Sequence, residues 1–253
     1  MVMLQLEKLT KYFGGLAAVK DVDMEIREGE VLSLIGPNGA GKTTLFNCVT
    51  GIYPPTSGQI IFQGESLLGL KPHDVAARGI ARTFQLTRLF RRLTVLENVL
   101  IGQHRHLRSG LREAIFGRKG GKQETARHQE ALHLLEFVNL AAKKDVLAEN
   151  LALGEQKHLQ LAIALATKPA LLLLDEPAGG LNPRETEELI ELIAKVRDSG
   201  ITVFLIEHDM RLVMDISDRI VVLNYGQKIA EGSPEEISRN PEVIEAYLGR
   251  REG

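Results

Sequence analysis

GPNGAGKTT, residues 36–44, matches the phosphate-binding pattern G-x-x-x-x-G-K-[ST]. A continuous apolar run, VLSLI at 31–35, precedes it, and a segment with helical character follows. Glycines at this spacing let backbone N–H groups turn toward phosphate oxygens, and the start of the following helix adds partial positive charge. The stretch therefore predicts a buried strand, a phosphate-binding loop and a helix, which together open an α/β nucleotide-binding domain.

Two side chains of this loop have expected roles in binding a nucleoside triphosphate. Lys42 is expected to contact the β- and γ-phosphates, and the Thr43 hydroxyl is expected to coordinate Mg²⁺. The loop residues predicted to bind nucleotide are Gly36, Pro37, Asn38, Gly39, Ala40, Gly41, Lys42, Thr43 and Thr44.

A second apolar run ends in two acids, LLLLDEP at 171–177. As a buried strand it would deliver Asp175 to the sheet edge beside the phosphate loop, where the carboxylate can hold Mg²⁺ through water. Glu176 is then placed to polarise a water that attacks the γ-phosphate. Successive residues of an extended chain face opposite ways, which separates the two roles. Mg²⁺ and a nucleoside triphosphate are the cofactors that these residues predict, and the family resemblance given below implies that the triphosphate is ATP.

The rest of the pattern predicts an α/β fold. Half-polar runs at 4–9, 22–26 and 60–63 are typical of an antiparallel layer, and apolar runs at 171–174 and 202–206 are typical of buried parallel strands. Helical spacing at 183–200 lies between the last two, which predicts a crossover helix. Residues 75–165 are expected to be mostly helical. The predicted fold is a P-loop NTPase core with a parallel sheet, an N-terminal antiparallel β layer and an inserted helical subdomain.

Bulk composition is that of a globular protein that works in a reducing compartment. The chain has 253 residues, of which 44% are hydrophobic and 25% charged, and no apolar run exceeds six residues. We therefore expect no membrane span and no signal peptide. A single cysteine, Cys48, excludes an internal disulfide and favours the cytoplasm.

Charge is unevenly distributed. Residues 76–128 carry 12 Lys and Arg against 3 Asp and Glu, although the net charge of the whole chain is −2. One interpretation is a solvated helical face, and the other is a lobe that faces an anionic membrane surface. Nucleic acid is not an expected partner, because few aromatic residues interleave these charges and no nucleic-acid motif is present.

In the order of its motifs, the chain resembles the ATP-binding subunit of ATP-binding cassette (ABC) transporters over nearly its whole length. Gln85 in ARTFQL matches the glutamine that in this family senses Mg²⁺ and the γ-phosphate and links to the membrane subunits. GGLN at 179–182 lies at the family's D-loop, and His208 in LIEHDM matches its switch histidine. Phe13 lies where an aromatic residue stacks on adenine. The resemblance implies catalytic roles for Gln85, Glu176 and His208 and metal binding by Thr43, Gln85 and Asp175.

LALGEQ, residues 151–156, occupies the place of the family's signature, which is usually Leu-Ser-Gly-Gly-Gln, and we call it the signature segment. In this family two ATPase domains stack head to tail, so the signature of one covers ATP bound to the other. We expect the helix after Gly154 to serve the partner's γ-phosphate with its N-terminus. The residues implied are Leu151, Ala152, Leu153, Gly154 and Glu155. Ala152 lacks the usual hydroxyl, and Leu153 and Glu155 replace Gly and Gln.

IARTFQLTRLFRRLTVLENVLIG, from residue 80, and EGSPEEISRNPEVIEAYLG, from residue 231, resemble the importers of branched-chain amino acids. The resemblance implies a second ATPase subunit, either a paralogue or a second copy, two permease subunits and an external solute-binding protein. It places the chain on the cytoplasmic face of the membrane as a peripheral subunit, with 86–116 docking on the permease. Relatives that import urea or short amides share the pattern.

Two other functions remain open from the sequence. One is the cassette of a lipid or polysaccharide exporter. The other is a soluble ABC ATPase of the kind that acts in translation or DNA repair, although neither a second cassette nor a long coiled-coil insertion is present. The expected organisation is one ABC ATPase domain over 1–253, with the core and β layer at 1–84 and 161–253 and the helical subdomain, which carries the signature segment, at 85–160.

Overall fold

A computed structural model describes residues 1–83, 89–103 and 120–248 of the chain. In chain order the strands are β1 (Val2–Phe13), β2 (Leu16–Arg27), β3 (Val31–Ile35), β4 (Ser57–Phe62), β5 (Glu65–Ser66), β6 (Ile80–Thr83), β7 (Leu171–Asp175), β8 (Thr202–Ile206), β9 (Arg219–Asn224) and β10 (Gln227–Gly232). The helices are α1 (Lys42–Val49), α2 (Pro72–Ala77), α3 (Val95–Gly102), α4 (Gly120–Phe137), α5 (Leu153–Leu165), α6 (Pro183–Asp198), α7 (Met210–Ile216), α8 (Pro234–Ser238) and α9 (Pro241–Leu248). In these ranges no helix is long and apolar enough to cross a membrane.

The central sheet has six strands in the order β10-β9-β3-β8-β7-β6. Every neighbouring pair is parallel except β9 with β10. Because β3, β7 and β8 run in the same direction, the segments that follow them meet at one edge of the sheet. Those segments are the phosphate loop after Ile35, the pair Asp175-Glu176, and Glu207-His208.

Apolar side chains on both faces of this sheet form the core. Along β7, Leu171 and Leu173 pack toward α1 and the antiparallel layer, whereas Leu172 and Leu174 pack toward the helices. All five residues of β3, β7 and β8 are buried. Burial on both faces explains why these strands read as continuous apolar runs. The predicted α/β core with its parallel sheet is confirmed.

The antiparallel layer, in the order β2-β1-β4-β5, is also present, but its first two strands are longer than the sequence indicated. β1 and β2 have 12 residues each and pair with several register shifts. Lys8 and Asp21 have φ of 46° and 48° at these irregularities. A β-bulge changes which residues face the core, and this interrupts the alternation from which strand length was predicted.

Helices α3, α4 and α5 pack together beside the sheet, with Val99, Ala131, Leu135 and Leu159 in their shared core. The expectation that 75–165 is mostly helical overlooked β6, a four-residue edge strand that pairs with β7. A run as short as IART carries no periodicity, and only its parallel partner makes it a strand. The predicted boundary between residues 160 and 161 falls inside α5.

Candidate nucleotide-binding site

The phosphate loop turns sharply between β3 and α1. Gly41, the residue before α1, has a φ of 103°, and a Cβ atom there would lie 2.3 Å from the Ala18 carbonyl oxygen. Gly39 has a φ of 83°, which only glycine adopts without strain. Both glycines are therefore required by the backbone path, and the path leaves Gly39 and Thr43 exposed at the start of α1. Exposed N–H groups at a helix start form an anion-binding site.

Lys42 places its ammonium group inside the loop. Its Nζ donates hydrogen bonds to the carbonyl oxygens of Gly36, at 2.6 Å, and Pro37, at 3.0 Å. Burial lowers the pKa of the Lys42 ammonium, while the carboxylates of Glu176 and Asp175 act in the opposite direction. The positive charge therefore lies between the loop and the acids that end β7.

Asp175 forms a buried ion pair that the sequence did not predict. Arg82, from β6, donates from Nη2 to Asp175 Oδ2 at 2.6 Å, and both side chains are less than a tenth exposed. Arg82 also donates to Asn47 Oδ1 and lies over the ring of Phe46, both on α1. The sequence placed Arg82 in the exposed basic block. Here it ties β6, β7 and α1 together and holds one oxygen of the predicted metal ligand.

The remaining groups suit a magnesium ion that is held mainly by nucleotide. In the described part of the chain, no cluster of three or more His, Cys, Asp or Glu residues could hold a metal by itself. Mg²⁺ usually takes one or two carboxylates together with substrate phosphates and water. The exposed hydroxyl-bearing residue Thr43 and the carboxylate of Asp175 match that requirement.

Glu176 and His208 face each other across the sheet edge. His208 Nδ1 lies 3.9 Å from Glu176 Oε2, and the His208 side chain is 64% exposed. Glu176 has a φ of 47°, which is unusual for a residue with a Cβ atom. Its N–H donates to the Ile206 carbonyl oxygen at 2.8 Å, which anchors the unusual backbone to β8. Strained backbone of this kind is concentrated at functional sites.

Phe13 lies at the end of β1, where the hairpin turns into β2, and 44% of it is exposed. Its ring makes an edge contact with Tyr53, with centroids 5.2 Å apart, and Lys11 Nζ lies 5.2 Å from its centroid. Lys11 is held in place by a hydrogen bond to the Pro54 carbonyl oxygen. An aromatic ring that is partly exposed yet fixed by its neighbours can stack on a flat base.

The signature segment starts its helix earlier than expected. α5 begins at Leu153 with Ala152 as the N-cap residue, so Gly154 lies inside the first turn. Ala152 and Leu153 are exposed, whereas Gly154 is buried, and a Cβ on Gly154 would lie 3.0 Å from Glu185 of α6. The exposed part of the segment is therefore 152–153. The expectation that the helix starts after Gly154 was wrong, because a single 3₁₀ turn at Ala148–Asn150 and an extended Leu151 make the helix begin two residues sooner.

Glu155, which replaces the usual Gln, is charge-compensated within the chain. Lys143 Nζ lies 2.5 Å from Glu155 Oε1, and Glu155 Oε2 accepts a hydrogen bond from the Ala152 N–H at 3.1 Å. Burial alone would raise the pKa of the Glu155 carboxyl, but the Lys143 ammonium and the Ala152 N–H together hold that pKa below its ordinary value. The additional acid therefore also caps the helix start.

Leu153 connects the signature segment to the loop at 179–182. A Cβ on Gly180, whose φ is 83°, would lie 3.1 Å from Leu153 Cδ2. Asn182 then caps α6 in a reciprocal capping box with Glu185. Gln85 lies outside the described residues, as do 86–88 and 104–116 of the predicted docking segment.

The six-stranded sheet, the phosphate loop and the acids at the end of β7 define a P-loop nucleotide-hydrolysing domain. A family model described as "ABC transporter" matches residues 19–179, and one described as "Branched-chain amino acid ATP-binding cassette transporter" matches residues 227–253. The chain belongs to the ABC transporter family, as an ATP-binding and ATP-hydrolysing cassette.

Relatives and solved structures agree with this membership over nearly the full length. The chain is 50% identical to the high-affinity branched-chain amino acid transport ATP-binding protein BraF of Pseudomonas aeruginosa, with 98% of each chain covered. It is 48% identical to LivG of Escherichia coli K12, a protein of the same description, again with 98% of each chain covered. The ADP conformation of the cassette MJ1267 matches with a TM-score of 0.87 and 33% identity, covering 99% of this chain and 100% of that one. A dimeric cassette, MJ0796 bound to ADP and Pi, matches with a TM-score of 0.76 and 29% identity, covering 92% and 99%.

Proposed function

We propose that this ABC cassette powers the import of branched-chain amino acids, or of a related small solute, through membrane permease subunits. The observation that carries the proposal is the match to BraF and LivG over 98% of the chain, which includes the C-terminal residues matched by the branched-chain model. The proposed location is the cytoplasmic face of the membrane, with an external solute-binding protein delivering the substrate. A soluble ABC ATPase and an exporter cassette have no comparable support.

The site supports one mechanism of hydrolysis. Lys42 and the N–H groups of the phosphate loop bind the β- and γ-phosphates, and Phe13 stacks on the adenine. Thr43 and Asp175 would hold Mg²⁺, with Gln85 as a further ligand, and the bound metal would neutralise charge on the phosphates. Glu176 accepts a proton from the attacking water, and His208 binds the γ-phosphate nearby.

The nucleotide site is completed by a second cassette, which is either a paralogue or another copy of this chain. The exposed residues Ala152 and Leu153 and the N–H groups at the start of α5 form a second anion-binding surface. The proposal is that the surface covers the γ-phosphate of ATP bound to the partner. It is supported by the similarity to MJ0796, a cassette that is dimeric with ADP and Pi bound.

Phe13→Ala should weaken ATP binding by about 1–3 kcal/mol, the range for stacking between a base and an aromatic ring. Tyr12→Ala is a matched control, because Tyr12 is also partly exposed but its side chain points to the other face of β1. Calorimetric titration of both variants with Mg·ATP measures the loss. GTP should be a fair substitute for ATP, since stacking does not read the hydrogen-bonding edge of the base. Equal affinity of the two variants would contradict the role of Phe13.

The described part of the predicted permease-docking segment presents one exposed aromatic residue. Phe90 is 52% exposed and is followed by the exposed Arg91 and Arg92, whereas Leu89 is half-buried and packs on the core. Of these two apolar residues, Phe90 is therefore the more exposed. The main chain of Phe90 is fixed by the fully buried Asn98, whose amide accepts from the Phe90 N–H at 2.9 Å and donates to the Phe90 carbonyl oxygen at 3.1 Å. A fixed exposed aromatic residue is typical of an interface anchor.

Phe90→Asp should leave ATP binding intact and prevent assembly with the permease, because a carboxylate cannot enter an apolar pocket without a partner. Leu68→Asp is the matched control, since Leu68 is similarly exposed on the antiparallel layer. Co-purification with tagged permease and uptake of labelled leucine, isoleucine and valine are measured for both. Normal co-purification of Phe90→Asp would refute the docking assignment. Normal assembly of the wild type without uptake of any of the three amino acids would refute the substrate class.

A further inference from the structure

Glu207 is a buried acid to which the proposed mechanism gives no role. It follows β8 directly, and only 1% of it is exposed. Its Oε1 accepts a hydrogen bond from the Ala178 N–H at 2.8 Å. Its Oε2 accepts from the N–H groups of His208, at 2.8 Å, and Asp209, at 3.1 Å. Three N–H donors fix the position of this carboxylate.

These three donors belong to two different loops of the active site. Ala178 lies two residues after Glu176, and its carbonyl oxygen accepts from Leu181 in the loop at 179–182. His208 and Asp209 precede α7, and Asp209 caps that helix by accepting from the Arg211 N–H. One carboxylate thus fixes the main chain on both sides of the 3.9 Å gap between Glu176 and His208.

We infer that Glu207 is a positioning residue that sets the separation of Glu176 and His208 by binding both of their loops. The inference rests on the proposed function of these two residues. Each of its two oxygens binds a different loop, Oε1 the segment at Ala178 and Oε2 the segment at 208–209. A strained backbone conformation persists only where neighbouring groups hold it. The hydrogen bond at Ala178 therefore helps to maintain the positive φ of Glu176.

The Glu207 carboxylate with its three N–H donors, which we call the clasp, also connects His208 to the signature segment of its own chain. From Ala178 the main chain leads to Gly180, which packs against Leu153. Lys157, on the next turn of α5, lies close enough to Glu207 and Glu176 for their carboxylates to oppose the lowering of its pKa by burial. A displacement of the clasp would therefore change both the chain's own catalytic site and the surface that it offers to its partner.

Glu207→Gln tests the inference with little change of shape. The amide oxygen can keep the hydrogen bonds from the N–H groups of His208 and Asp209. The amide NH₂ then faces the Ala178 N–H, and two donors cannot form a hydrogen bond. Amide exchange should therefore accelerate at Ala178 and stay slow at His208 and Asp209. The turnover number should fall about 10²-fold, as for an ångström-scale misplacement of a catalytic group, while the affinity for ATP is retained. Unchanged exchange at all three amides would overturn the clasp.

Glu30→Gln is the control for a general loss of stability. Glu30 is also a buried acid that accepts from a backbone N–H, that of Arg27, and it lies at the opposite end of β3 from the phosphate loop. Its turnover should match the wild type once the folded fraction is taken into account. Adding Glu207→Gln to Glu176→Gln should lower turnover no further than Glu176→Gln alone, because loosening the segment at Ala178 acts on turnover through Glu176. If the losses of turnover in the double variant multiply, the positioning role is overturned. It is also overturned if Glu207→Gln has wild-type turnover while Lys42→Ala is inactive. An active Lys42→Ala would instead contradict the proposed function.

Discussion

Lys42→Ala should abolish ATP hydrolysis by this chain. The ammonium of Lys42 is the positive side chain within the phosphate loop, and its hydrogen bonds in the structure go to the carbonyl oxygens of Gly36 and Pro37. Nucleotide phosphates would exchange these neutral acceptors for charged ones, which are bound more strongly. Removing one preorganised charged donor costs about 10²–10³-fold in turnover, and the loss of binding adds to it.

The fold should survive this change. Alanine removes a partly desolvated charge and leaves the backbone path, which depends on glycines, unchanged. Thermal unfolding without nucleotide should thus be close to that of the wild type, while stabilisation by added Mg·ATP should be lost. Lys195→Ala, on the exposed face of α6, is the control and should keep both activity and stabilisation. Wild-type ATPase activity of Lys42→Ala would show that the phosphate loop is not the nucleotide site.

Glu176→Gln should convert the cassette into a protein that binds ATP but scarcely hydrolyses it. Glutamine preserves size and hydrogen bonding but removes the carboxylate that accepts the proton from water. Hydrolysis should slow by a factor of about 10²–10⁴. Because ATP would remain bound at the interface, it should hold two cassettes together, since a ligand that binds only the dimer stabilises the dimer. Size-exclusion runs with ATP, ADP and no nucleotide should show a dimer with ATP alone.

The signature segment provides a second change that tests the shared site. Ala152 is the exposed N-cap of α5, so Ala152→Asp and Ala152→Ser should both improve the cap, by about 0.5–2 kcal/mol. In a Glu176→Gln background, Ala152→Asp should abolish the ATP-dependent dimer, because its carboxylate would face the partner's γ-phosphate. Ala152→Ser should retain or strengthen the dimer. Gly154→Asp is less informative, since its side chain would clash with Glu185 inside its own chain.

Comparison of Ala152→Ser with Ala152→Asp separates an effect of charge at the interface from an effect on folding. Both stabilise the same helix, so a difference between them reports the charge at the interface and not folding. If ATP induces no dimer with Glu176→Gln, either alone or with the paralogous ATPase, the signature segment is only a helix start. If Ala152→Asp dimerises as well as Ala152→Ser, the surface at 152–153 does not face a phosphate.

The sequence alone determined the class of fold and the phosphate loop. Each rests on patterns that short segments carry by themselves. Burial on both faces makes β3, β7 and β8 continuous apolar runs, and the turn before α1 requires glycine at fixed positions. The neighbours in sequence impose these requirements, so no knowledge of distant contacts was needed. The order of the motifs then indicated the ABC family, and the matches over the full length confirm it.

Tertiary structure alone decided how the site is held together. The Arg82–Asp175 pair joins residues 93 positions apart, and Glu207 reaches Ala178 across 29 positions. In the sequence, Arg82 is one basic residue among many and Glu207 is one acid beside a histidine. Their roles come from the parallel register of β6, β7 and β8, which brings the ends of these strands side by side. The burial of Gly154 against Glu185 is a contact of the same kind, because packing of α5 on α6 decides which residues of the signature segment face outward. Local patterns specify backbone conformation, whereas the partner of a buried charge is specified only when the whole sheet has formed.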